Sequence, residues 1–130
     1  MAGKLIEILN LENGLELEIW DLSRIVAGDR WLVSMEIRIY VPLSPENLEL
    51  IKEDEKAYSI LKKEYGTKIP YRNNQKRHFI AKNKKEDVFR KFMETVKRDL
   101  YNYISHPDFA KKYLALTYKS LKAKKPQLFQ

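Results

Sequence analysis

From residue 5 to residue 41 apolar and polar positions alternate with a period of two, and the apolar ones are rich in β-branched and aromatic residues. That pattern predicts strands with one face against a core. It is clearest over residues 31–41, where Trp31, Val33, Met35, Ile37, Ile39 and Val41 share one face and Leu32, Ser34, Glu36, Arg38 and Tyr40 the other. Glu12-Asn13-Gly14 separates two such runs. A three-residue loop with Gly14 left-handed sets Leu11 opposite Leu15 and Leu9 opposite Leu17, whereas a two-residue Asn-Gly loop would set Leu11 against Glu16. The first register keeps leucine against leucine and is the one expected. Gly28-Asp29 reads as the next turn, glycine first, as a type II′ turn requires. Counting back from it puts Leu17 and Ile19 opposite Tyr40 and Arg38, the wrong phase for burial beside Ile37 and Ile39. A bulge within residues 21–24 restores the phase.

Past Pro42 the period lengthens. Ser44-Pro45 has the chemistry of an N-cap and first helical residue, and Gly66 that of a helix end, so one helix is expected between them with Leu48, Ile51, Tyr58, Leu61 and Tyr65 inward. Residues 68–72 and 76–82 predict a further basic strand, or a hairpin turning at Asn73-Asn74-Gln75, with Pro70 confining it to an edge. Helical spacing returns over residues 85–104, where Val88, Phe89, Phe92, Met93, Val96, Leu100, Tyr103 and Ile104 form one stripe. A last helix is expected over residues 108–121 with Phe109, Tyr113, Leu116 and Leu121 inward, and the short connection at 105–107 predicts that the last two helices form a helical hairpin. The expected fold is a single α+β domain over residues 1–130: an N-terminal antiparallel meander of about three strands, a further basic strand or hairpin, and three helices. At 130 residues such a chain can bury one core without staples.

Charge changes the picture. Residues 1–66 carry 8 Lys/Arg against 13 Asp/Glu, a net of −5, whereas residues 67–130 carry 17 against 5, a net of +12. Two acid-free segments hold the excess, residues 68–85 with seven bases and residues 109–130 with six lysines. Lys111, Lys112, Lys119 and Lys122 fall on one side of the last helix, an expected unpaired basic stripe. If that helix folds back antiparallel, Lys122, Lys124 and Lys125 come near Lys82, Lys84 and Lys85, and the segments merge into one patch. Arg72, Lys76, Arg77, Lys82, Lys84, Lys85, Lys111, Lys112, Lys119 and Lys122 are therefore the candidate contacts to a nucleic acid or other polyanion. Tyr71, His78 and Tyr118 are available as rings, and Asn73, Asn74 and Gln75 as polar contacts. The charges outward on the long helix, Asp87/Lys91, Arg90/Glu94 and Glu94/Arg98, are each four apart and read as a solvated, self-paired face.

Other chemistry is sparse. Asp21, Ser23, Arg24, Asp29 and Arg30 gather at the second turn, where Arg24 and Arg30 are candidates for holding a small anion and a salt-bridge network is the ordinary alternative. With no cysteine there are no disulfides or thiolate sites. The two histidines, His78 and His106, stand in different elements without metal-ligand spacing, and no glycine-rich phosphate loop or G-x-S-x-G motif occurs. Glu16 and Glu18 share a strand face, the usual pattern of an exposed one. No catalytic site, metal or cofactor is expected.

His106-Pro107-Asp108, between two helices of which the first is rich in bases, resembles the His-Pro-Asp loop of J-domain co-chaperones, which implies stimulation of a chaperone ATPase. The resemblance covers three residues, in a chain that opens with a sheet where a J-domain is helical throughout. The same residues with Ser105 form an S-x-x-D capping box with proline early in the helix, and helix punctuation is the reading adopted.

Neither an n-region with an apolar h-region at the start nor a run of 18 apolar residues occurs, so no signal peptide or membrane span is expected and a cytoplasmic location follows by default. The expected function is a non-catalytic binding module whose basic half meets nucleic acid or an acidic protein. The alternative is a protein interaction or self-assembly module, a homo-oligomer in which the acidic half, led by Glu46, Glu49, Glu53, Asp54 and Glu55, pairs with the basic half of a neighbour.

Overall fold

The first turn forms in the leucine-matched register. Leu11 N–H donates to Leu15 O (2.8 Å), Leu9 stands opposite Leu17, and Gly14 has φ +89°. Asn13 braces the turn from within, its Oδ1 accepting Leu15 N–H (3.1 Å) and its Nδ2 donating to Ile104 O (2.8 Å). These come from a computed structural model that describes residues 3–129. Met1, Ala2 and Gln130, the ends of the expected domain, lie outside the described residues.

In chain order the elements are β1 (Lys4–Asn10), β2 (Glu16–Asp21), β3 (Arg24–Ala27), β4 (Arg30–Pro42), α1 (Ala57–Tyr65), β5 (Lys68–Ala81), α2 (Lys85–Thr95), α3 (Tyr101–Ile104) and α4 (Phe109–Lys124). The class is α+β. β1 pairs β2, and β2 and β3 pair β4, all antiparallel, while β5 pairs β4 as well. Contacts gather the chain into two units, Met1–Ile39 with Tyr71–Ser105 and Tyr40–Pro70 with His106–Gln130.

In the first unit, β2 and β3 follow one another along β4 in one register, Asp21 opposite Met35 and Arg24 opposite Leu32. Together they are the middle strand of the expected meander. The phase is corrected by a register shift between Ile25 and Ala27, beside the Gly28-Asp29 turn and not within residues 21–24. Residues 21–24 are occupied otherwise: Leu22 N–H keeps the ladder to Ser34 O, and Ser23 Oγ accepts Ser34 N–H (3.0 Å). Ile19 thus lies opposite Ile37, and Leu17, Ile19, Val33, Met35, Ile37 and Ile39 are fully buried, each such side chain contributing about 1.5–3 kcal/mol.

β5 is one continuous strand, so the hairpin alternative is set aside. Asn73 to Gln75 have no positive φ with which to turn, and Asn74 instead donates to the Ser34 hydroxyl of β4 (3.1 Å). The long helix forms as α2, a π-helical turn at Val96–Leu100 and α3. The wider turn carries Ile104 into the core and leaves Tyr103 exposed.

In the second unit the expected helix from Pro45 is broken. Ser44 Oγ does accept Asn47 N–H (3.3 Å), but only turns and a 3₁₀ segment, Glu49–Ile51, follow. Helix proper starts at Ala57, because Asp54 turns the chain, its carboxylate taking Lys56 N–H (3.1 Å) and its carbonyl Ala57 N–H (3.0 Å). Gly66, at φ +88°, ends α1 as expected. On α4 the buried stripe is Phe109, Ala110, Leu114, Tyr118 and Leu121, whereas Leu116 is 59% exposed. The core face is rotated from the one expected, toward the lysines.

Candidate functional site

That rotation decides the fate of the C-terminal lysines. Lys111 Nζ meets Glu49 (2.8 Å), Lys125 Nζ meets Glu64 (2.5 Å), and Lys122 Nζ lies 3.7 Å from Asp54 and over the rings of Tyr118 and Phe129. The partners shift one another: Lys111 holds the Glu49 carboxyl below its ordinary value, and Glu49 and Glu64 raise Lys111 and Lys125. Tyr118 donates its buried hydroxyl to Asp54 (2.5 Å), which lowers the Asp54 pKa, while burial and then that carboxylate push the phenol up to about 12. Half of the expected unpaired stripe, Lys111 and Lys122, is therefore neutralised within its own unit. The other two, Lys112 and Lys119, are exposed with no carboxylate in ion-pair range among the described residues.

The other basic segment differs. From residue 71 onward it belongs to the first unit, whereas Lys122, Lys124 and Lys125 belong to the second. Arg72, Lys76, Arg77, Lys82 and Lys84 are all exposed, and among the described residues no carboxylate lies within ion-pair distance of any of them. Lys85 is half-buried, its ammonium 3.9 Å from the centre of the Trp31 ring, and both line a cleft in which Ile6, Phe89 and Met93 stand beside Asp21, Glu86 and Arg90. Lys82, Lys84 and Lys85 stand where α2 begins, so the helix dipole adds to their field, with Glu86 and Asp87 in the first turn against it.

Where β5 meets α2 the surface opens into a depression of about 560 Å³. Four cations line it, Arg30, Arg77, Lys84 and Lys91, with the side chain of Phe79 among them and Asp87 as its one carboxylate. Asp87 is committed to Arg90, outside the lining, and Arg30 reaches only Asp29, at 3.8 Å. The i,i+3 pair with Arg90 replaces the expected i,i+4 pair with Lys91, and the remaining pair on this face is between neighbours, Arg98 with Asp99. Lys91 is released by that exchange.

Phe79 has no forerunner in the sequence reading. Its φ is +56°, the one positive value outside glycine among the described residues, and its side chain is 70% exposed. Alternation marks Phe79 as an ordinary strand residue, and no neighbouring glycine or asparagine announces the turn of the backbone.

At the second turn, Asp21 Oδ1 accepts Ser23 N–H (2.9 Å), and Arg24 is exposed with no carboxylate partner among the described residues. Arg30 lines the depression and Arg24 does not. Glu18 takes the Trp20 indole N–H (2.8 Å), and Arg38 lies 4.5 Å above that ring while pairing with Glu36 (2.5 Å). Around residue 106 the capping box is not formed: Ser105 turns its hydroxyl back to Tyr101 O (2.6 Å), and His106 Nδ1 accepts Asp108 N–H (3.0 Å). No helix among the described residues is long and apolar enough to cross a membrane. Compared with known protein families, curated proteins and solved structures, the chain matches none.

Proposed function

We propose that this chain is a non-catalytic binding module that takes a polyanion, nucleic acid foremost, on the basic surface of its first unit formed by β5 and the start of α2. The observation that carries the reading is the contrast in compensation: among the described residues none of Arg72, Lys76, Arg77, Lys82 and Lys84 has a carboxylate in ion-pair range, while three of the six C-terminal lysines, Lys111, Lys122 and Lys125, meet carboxylates of their own unit. Exposed cations held on a strand and a helix start can neutralise phosphates and so release the counterions condensed on a nucleic acid. The self-assembly alternative is less favoured, because two of the five carboxylates that lead it, Glu49 and Asp54, are spent inside the unit.

Titration of labelled single-stranded and duplex oligonucleotides at several salt concentrations tests this. Five phosphate contacts give a log–log salt slope of about −3.5 on a single strand, so affinity falls about a hundredfold between 50 and 200 mM salt. Sedimentation at the same ionic strengths is expected to show a monomer. Salt-dependent self-association without oligonucleotide binding would favour the alternative instead.

A further inference from the structure

We infer that the depression around Phe79 is a base-stacking site, so that the favoured polyanion is a single-stranded nucleic acid; this deepens the reading above and rests on it. Three observations meet at one place. First, the Phe79 side chain is 70% exposed, so it contributes little to any core. Second, its φ of +56° is a conformation that bulky residues avoid, and here it turns the ring into the open with no burial in return. An ordinary structural role for a phenylalanine would place the strain and the burial together. Third, Arg30, Arg77, Lys84 and Lys91 line the same depression as Phe79, and the one carboxylate among the lining residues, Asp87, is held by Arg90.

The chemistry of such a surface selects its ligand. Cations that share a depression with an exposed aromatic ring can hold the phosphates of an extended strand while one base lies against the ring. A duplex offers the same phosphates with its bases stacked inward, so it gains from the cations and not from Phe79. A sulfated polysaccharide or an acidic peptide likewise offers charge without a flat aromatic partner. RNA and DNA single strands both present the required face, since stacking is largely indifferent to the base and the sugar.

The test is fluorescence anisotropy with labelled dodecameric oligothymidine, an abasic strand of the same length, and a dodecamer duplex, at fixed low salt. With the native chain, the oligothymidine is expected to bind about tenfold more tightly than the abasic strand, the effect of one base–aromatic stack. Phe79→Ala should bring the oligothymidine to the abasic level and leave the abasic strand and the duplex unchanged. Phe79→Asn, which tolerates the left-handed backbone, should behave as the alanine variant does and so separates loss of the ring from a change of fold. Equal affinity of the native chain for oligothymidine and the abasic strand, or unchanged oligothymidine binding by both variants, overturns the stacking site while leaving the basic surface standing. Failure of all three probes to bind the native chain overturns the polyanion reading itself.

Discussion

Tyr118→Phe removes one oxygen from the second unit and should be felt well beyond its size. The ring is 5% exposed and packs edge-on against Phe129 at 5.3 Å, and phenylalanine preserves both. What is lost is the hydroxyl bond to Asp54, 2.5 Å long and made to a charged partner. Bonds of that kind contribute about 1.5–3 kcal/mol, and the one-third exposure of the Asp54 side chain argues for the lower end. Asp54 keeps Lys56 N–H and the nearby Lys122, so no bare buried charge remains to enlarge the loss. A destabilisation of about 1–2 kcal/mol is expected in urea at pH 7. The dependence on pH provides a signature that packing alone would not. The phenol is raised in the folded chain from 10.0 to about 12, so its contribution is complete below pH 10 and is lost as pH climbs toward 12. Asp54 runs the other way: its pKa is lowered, so its contribution is complete above 3.8 and is lost as pH falls through the depressed value. The gap between native and Tyr118→Phe should therefore hold steady near neutrality and narrow between pH 10 and 12, the other tyrosines cancelling in the comparison. A gap under about 0.5 kcal/mol at pH 7, or one equally wide at pH 7 and pH 11, would refute the role given to this bond.

Other substitutions probe the turns and the exposed ring. Gly14→Ala should destabilise by about 1 kcal/mol through backbone strain alone, because φ is +89° and, among the described residues beyond its chain neighbours, no heavy atom lies within 4 Å of the added methyl. Gly14→Asn should recover part of that loss, as urea midpoints of the two variants would show. Phe79→Asn should leave the urea midpoint unchanged or raise it, since it relieves a positive φ and uncovers no core; a loss above about 1 kcal/mol would mean that the ring supports the fold.

How far the chain could be read follows from the range of each signal. The Asn13-Gly14 turn and the alternation along β4 are local, and both formed as the sequence implied. The need for a bulge was equally visible, because Leu17 and Ile19 had to meet β4 in phase. Its place was not, since Ser23 and Ser34 hold residues 21–24 in register through side-chain bonds that periodicity does not record. The break at Asp54 escaped for a similar reason: helical spacing runs straight through it, and the stop comes from a carboxylate bonding its own backbone and a tyrosine 64 positions away. On α4, hydrophobic character favoured Leu116 over Tyr118, but Tyr118 can bury its ring because its hydroxyl finds the Asp54 carboxylate. The candidate site was half legible. Acid-free composition marked both basic segments, yet which of them is neutralised depends on where α1 and the 3₁₀ segment set Glu49, Asp54 and Glu64. Phe79 left no trace at all, because a positive φ at phenylalanine belongs to no sequence pattern.

The basic surface is tested most directly by two double charge reversals compared on a heparin column. Arg77→Glu with Lys84→Glu alters the first unit, and Lys112→Glu with Lys119→Glu alters two of the α4 lysines that have no carboxylate partner among the described residues. Both pairs change net charge by the same amount and break no ion pair, so any difference reports location. The first variant should elute at much lower salt than the native chain and the second close to it. Equal early elution of both, or early elution of the second alone, would contradict a binding surface on β5 and the start of α2.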